Sequence, residues 1–259
     1  MMFARLSRLS RLSRLPGGPA RNSFQASALV AVLALAACAS PSSRFYTLGG
    51  ASVGASGSTP AGASSVRTAA APAWLIEVAP IDVPPQVAKT QLVVQTGPTQ
   101  VKVLEEERWA SLPGDELRRA LSTSLTQQLN TIDVYGTAYS DTTPVYRVSV
   151  NVQRFESWPG SHALIDAVWS VRAVRSTAVM TCRSVVSEQV GSGYDSLVDG
   201  HRRALQRVSE QVAGALRAMA ASSASAGAAA AGASSSQAKG AARVNVPACP
   251  SDGAAVAAG

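Results

Sequence analysis

The side chains able to do chemistry in this chain of 259 residues are few. Glu105, Glu106 and Glu107 are consecutive, His162 and His201 are the only histidines, and the cysteines stand at 38, 182 and 249. Neighbouring carboxylates suggest glycoside hydrolysis, but that reaction needs two acids converging on a sugar from separate elements. On a strand, Glu105 and Glu107 share one face and Glu106 takes the other. No second acidic cluster answers them, so the triplet reads as a solvated strand edge. His162 falls near a turn and His201 on a helix beside Arg202 and Arg203. Neither accompanies a G-x-S-x-G nucleophile elbow, and no Gly-rich phosphate loop is present. The CxxC and His spacings of zinc sites are absent as well. The chain therefore reads as a non-enzyme with no catalytic, cofactor-binding or metal-binding residues.

The cysteine at 38 is different, because of what precedes it. Residues 1–37 hold five arginines and no acid, and residues 28–37, ALVAVLALAA, are ten unbroken apolar residues. As a helix this run rises ~15 Å, half of a ~30 Å hydrocarbon core, so it is too short to span. A basic start, a short apolar run and small residues at its end make a secretory signal peptide. Its last residues, LAAC at 35–38, resemble the lipobox of bacterial lipoproteins, in which the thiol is acylated and the signal removed just before it. Cys38 is then the first mature residue and the lipidation site, and several acyl chains give stable anchoring where one is marginal. Ala39 and Ser40 follow, without the aspartate that retains lipoproteins at the inner membrane in enterobacteria-like systems. The expected location is the outer membrane, facing the periplasm.

Export changes how the rest is read. The formal charge is +7, but five of the 23 basic residues leave with the signal, and 16 acids remain. No basic patch for nucleic acid survives that correction. In an oxidising periplasm Cys182 and Cys249 are candidates for a disulfide tying the C-terminus to the domain; two unrelated thiols are the alternative. Residues 49–73 and 221–242 are Gly, Ala and Ser with almost no large apolar side chains, so they cannot bury enough area to offset chain entropy. The expected organisation is a signal peptide at 1–37, a lipidated segment at 38–48 and a flexible linker at 49–73. A single domain at 74–220 and a low-complexity tail at 221–259 complete it. As a coil, 25 linker residues would give the body ~25–30 Å of reach from its anchor.

Within 74–220 the hydrophobic period alternates between two and 3.6. WLIEVAPIDVP at 74–84 reads as a strand, and QLVVQT and QVKVLEEERW flank Gly97–Pro98 as a hairpin. A helix starts at Pro113 with Asp115 and Glu116 in its first turn, where acids suit the dipole. Leu117, Leu121, Leu125 and Leu129 form its apolar stripe. IDVYG at 132–136 reads as a short strand. Three long strands follow, with a phase slip at Arg154–Phe155 that suggests a bulge, and they should pair as an antiparallel meander. Residues 194–220 read as a long amphipathic helix, with Leu197, Leu205, Val212 and Leu216 on its apolar face. The fold class is α/β: a single-domain sandwich whose mixed, largely antiparallel sheet is covered by two main amphipathic helices.

The lipobox, the closely following RFYTL at 44–48, the strand–turn–strand ending in Arg108–Trp109, and the RFE before the strand carrying Trp169 together resemble the PqiC/YmbA family. Its members are auxiliary lipoproteins of ABC-type and MCE-domain transport systems of Gram-negative envelopes. Where the family often has an acidic–basic pair, this chain has Ala88–Lys89. The resemblance implies an MCE-domain partner spanning the periplasm, movement of lipid between membranes, and a ring-shaped homo-oligomer. The competing readings are a lipid-binding carrier that encloses its cargo, and an envelope lipoprotein without a transport role. Phe45, Tyr46, Thr47 and Leu48 could add a strand to a partner or complete this domain's own core.

Overall fold

The computed structural model describes residues 42–49, 71–232 and 247–250. Seven strands and two helices follow in the order β1 (Arg44–Tyr46), β2 (Leu75–Val78), β3 (Gln91–Gly97), β4 (Gln100–Trp109), α1 (Pro113–Leu129), β5 (Val145–Trp158), β6 (His162–Ala173), β7 (Val179–Gln189) and α2 (Tyr194–Gly232). The α/β architecture is the one expected, with two amphipathic helices and mixed pairing. The strands divide into two sheets, ordered β1-β4-β3 and β2-β5-β6-β7. Pairing is parallel for β1 with β4 and for β2 with β5, and antiparallel elsewhere.

The meander β5-β6-β7 carries most of the core. Alternation sends Tyr146, Val148, Val150 and Val152 inward, and the register shifts between Val152 and Arg154. The extra residue at Gln153 restores the phase, so Phe155 is buried. From β6, Ile165, Trp169 and Val171 face the same interior. Helix α2 covers them with Leu197, Val208, Val212, Leu216 and Met219, the 3.6-residue stripe that predicts its amphipathic face. The helix approaches β6 closely at Gly200, where a Cβ would lie 2.9 Å from the Cβ of Ala163 and closer still to Val190. Helix α1 begins with Pro113, buries Leu117, Leu121 and Leu125, and ends at Asn130, whose φ of 49° is left-handed. It packs beside α2.

Two segments depart from the sequence reading. IDVYG forms no strand; it makes one isolated parallel bridge, Ile76 to Asp133. Residues 221–232, read as lacking stable structure, continue α2 to Gly232. Once tertiary packing has nucleated a helix, adding Ala-rich turns is favourable despite scattered Gly and Ser.

Beyond it, Cys249 and Cys182 form a disulfide with Cα atoms 5.8 Å apart across 67 residues. Pro250 lies beside Gly214 of α2. The disulfide thus ties the chain to β7, the terminal strand of its sheet.

Candidate functional site

The segment that follows the lipobox most closely is built into the body. As β1, residues 44–46 pair in parallel with Glu107, Arg108 and Trp109 of β4, and the amide of Ala110 donates to the Tyr46 carbonyl at 2.7 Å. Tyr46 and Leu48 are buried, whereas Phe45 is 66% exposed. Of the two roles left open for this segment, Tyr46 and Leu48 complete the core. Phe45 is the large apolar side chain of the segment left open to another molecule, and Thr47 beside it is exposed as well.

Two carboxylates fasten this strap. Glu107 is buried and accepts from Arg44 Nη2 at 2.5 Å and from Tyr46 Oη at 2.6 Å. Glu116, 1% exposed, accepts from Thr47 Oγ1 at 2.6 Å, the Leu48 amide at 2.9 Å, Ser111 Oγ at 2.6 Å and Arg119 Nη2 at 2.5 Å. Each carboxylate has its acceptor sites filled by strap donors and nearby hydroxyls, which is how a buried charge becomes tolerable. Burial alone would raise both pKa values. For Glu107 the Tyr46 and Arg44 hydrogen bonds prevail, and for Glu116 those from Ser111, Thr47 and Leu48, so both stay ionised below the usual carboxylate range.

The acidic triplet is therefore not a solvated edge throughout. Gln91 of β3 pairs with Arg108 while the next residue, Leu92, pairs with Leu104, so Glu105, Glu106 and Glu107 bulge out of the ladder. The bulge turns Glu107 inward, leaves Glu105 in solvent, and sets Glu106 to accept from Ser43 Oγ at 2.8 Å. Bulges commonly re-aim a side chain in this way. Sequence reasoning missed Arg44, Glu107, Glu116, Ser111 and Arg119 as a group. The one local signal was the adjacent apolar pair Val103–Leu104, which breaks the alternation just before the acids.

The remaining flagged residues are scattered. His162 accepts or donates at Nδ1 with Ser161 Oγ, 2.9 Å away, and stacks on Trp158. His201 is fully buried, stacked 4.0 Å from Phe155, with Nε2 2.8 Å from Ser157 Oγ. Desolvation lowers its pKa from 6.5 to about 3. Among the described residues, no group of three His, Cys, Asp or Glu side chains is placed to hold a metal ion. Cys38 lies outside the described residues.

His201 makes a pH prediction separable from the carboxylates. The unfolded chain takes up a proton near 6.5 and the folded one does not, so stability is full above pH 6.5 and falls with acid. The slope approaches ~1.4 kcal/mol per pH unit until the folded pKa is reached. Glu107 and Glu116, with depressed pKa values, add a further loss only below their ordinary 4.5. Urea titrations between pH 7 and 5 should show the loss in the native chain and its absence in His201→Phe. An equal loss in both would refute it.

Comparison with solved structures gives the fold class. One protein, described only as uncharacterized, aligns over 67% of this chain and 97% of its own with a TM-score of 0.51 at 18% identity. A Xanthomonas campestris protein of the DUF330 family aligns over 54% of this chain and 81% of its own, with a TM-score of 0.42 at 19% identity. Among curated proteins, none matches. The sequence family is better defined: residues 58–213 match the model of the ABC-type transport auxiliary lipoprotein component, and the chain belongs to that family. The family name ties the protein to an ABC-type transport system in an auxiliary, lipoprotein role.

Proposed function

We propose that the mature protein is acylated at Cys38, sits in the outer membrane facing the periplasm, and serves as the non-enzymatic auxiliary component of an ABC-type, MCE-linked system that moves lipid between membranes. Family membership carries this reading. The Cys182–Cys249 disulfide supports an oxidising compartment, and no helix among the described residues is long and apolar enough to cross a membrane. A ring of copies around the MCE partner belongs to the same proposal, with exposed Phe45 as the apolar side chain of its segment left to meet a neighbour.

Enclosure of a whole lipid by this chain is less well supported. One cleft, bordered by Tyr139, Pro144, Tyr146 and Arg175, holds about 260 Å³, and another, bordered by Phe45, Asp195, Asp199 and Arg202, about 250 Å³. Both fall below the ~300–1,000 Å³ in which even drug-sized ligands are enclosed.

The strap also changes how the anchor works. Residues 44–48 are stitched to β4 and α1, so only a few residues separate the proposed anchor at Cys38 from the body; residues 50–70, where most of the expected linker falls, lie outside the described residues. Cys38→Ala should release the protein from outer-membrane fractions, and affinity purification of the native chain should recover an MCE-domain protein. Normal fractionation of the variant would refute acylation at Cys38; repeated purifications without an MCE protein would refute the transport assignment.

A further inference from the structure

We propose that the tip of the β3–β4 hairpin, residues 96–103, rests on the bilayer that holds the acyl anchor; the inference takes acylation at Cys38 from the reading above. Because β1 runs parallel to β4, the chain enters it from the hairpin side, and the Ser43–Glu106 hydrogen bond shows that path continuing along β4. Phe45, Arg108 and Gln91 lie side by side across the sheet. From that level β3 runs six residues to Gly97, which places the tip ~20 Å farther on, on the side from which the chain enters β1, at 3.3–3.4 Å per residue. Cys38 lies seven Cα-to-Cα steps before Phe45, so even a fully extended tether spans at most ~23–25 Å. The anchor's maximum reach and the hairpin's projection nearly coincide. A bilayer holding Cys38 on the hairpin side therefore meets the tip.

The tip is suited to that contact. Thr96, Pro98, Thr99, Gln100 and Lys102 are exposed, and Val101 and Val103 present 47% and 37% of their surface on one side of β4. Between Gln91 and Leu104 the only charged residue is Lys102. Exposed valines beside a lone cation, with no acid, favour an anionic lipid surface: apolar area enters the interface and the ammonium stays at the headgroups. On the same strand beyond the tip, Glu105 and Glu106 mark where the acidic surface begins.

The test uses the full mature lipoprotein, reconstituted in vesicles of phosphatidylethanolamine and phosphatidylglycerol containing a headgroup spin label. An environment-sensitive fluorophore is attached at Thr99→Cys or, as a control near the start of α2, at Ser192→Cys, with the native disulfide kept oxidised. The Thr99 label should lose emission to the headgroup quencher and the Ser192 label should not. Intact mass and vesicle flotation report acylation separately. An acylated, floating protein whose two labels are equally bright overturns the hairpin contact alone; an unacylated native chain overturns both it and the Cys38 reading. Shielding of the Thr99 label by solubilised envelope proteins, but not by vesicles, would assign the tip to a protein partner and also overturn the proposal.

Discussion

Glu116→Ala is expected to destabilise the protein by ~1–3 kcal/mol, the range for leaving a buried donor without its partner. The carboxylate is nearly inaccessible, and its loss strands the Leu48 amide, the hydroxyls of Thr47 and Ser111, and Arg119. The buried Leu48 amide bears the full desolvation penalty, ~1–3 kcal/mol before relaxation, whereas exposed Thr47 and Arg119 can turn to water. Leu48 and Thr47 should be released first, since few other polar contacts hold that end of the strap. Hydrogen exchange at Leu48 and Ala110 would report this opening separately from global unfolding. Unchanged protection at both amides, with less than ~1 kcal/mol of overall loss, would show that Glu116 is not a fastening and that apolar contacts of Tyr46 and Leu48 suffice. Glu116→Gln should fall between the two: it keeps the shape but gives up the charge and puts a donor among donors.

The second large effect belongs to the disulfide. Closing 67 residues removes denatured-state entropy worth at most ~4 kcal/mol in the chain-entropy model. Part of that is returned because the bond also restrains the native C-terminal segment, so Cys182→Ser with Cys249→Ser should lose ~2–4 kcal/mol. In urea this moves the midpoint down by ~1–2 M and steepens the slope, because the unlinked denatured chain is more open. Its consequence is local as well. Met180, Cys182, Ser184 and Val186 face the interior along β7, and the cystine adds a covalent restraint at the centre of that strand. Equal midpoints with and without reductant would show that the packing of α2 holds β7 unaided.

The same contrast runs through the fold. The meander, helix α1 and the β3–β4 hairpin were legible because each is local. A period of two, a leucine every fourth residue, or a Gly–Pro turn declares itself within about a dozen residues. The slip at Arg154–Phe155 was legible for the same reason, since an inserted residue displaces the apolar phase where it occurs. The division into two sheets was not, because strand order depends on pairings between segments far apart. Nor was the burial of Glu107: a three-residue bulge changes which acid turns inward, and identical side chains in a row carry no phase. Glu116 was visible as an acid in a first helical turn, a role that explains a solvated carboxylate well. Only the docking of Thr47 and Leu48, 69 and 68 residues away, makes it a buried acceptor.

By itself the sequence determined the α/β class, the amphipathic faces of both helices and the family resemblance. These are properties of composition and short-range spacing. Tertiary structure alone decided that residues 44–46 are a strand of the body and which carboxylates hold the strap. Those outcomes depend on parallel pairing and on hydrogen bonds across more than sixty residues, where no local periodicity exists to be read.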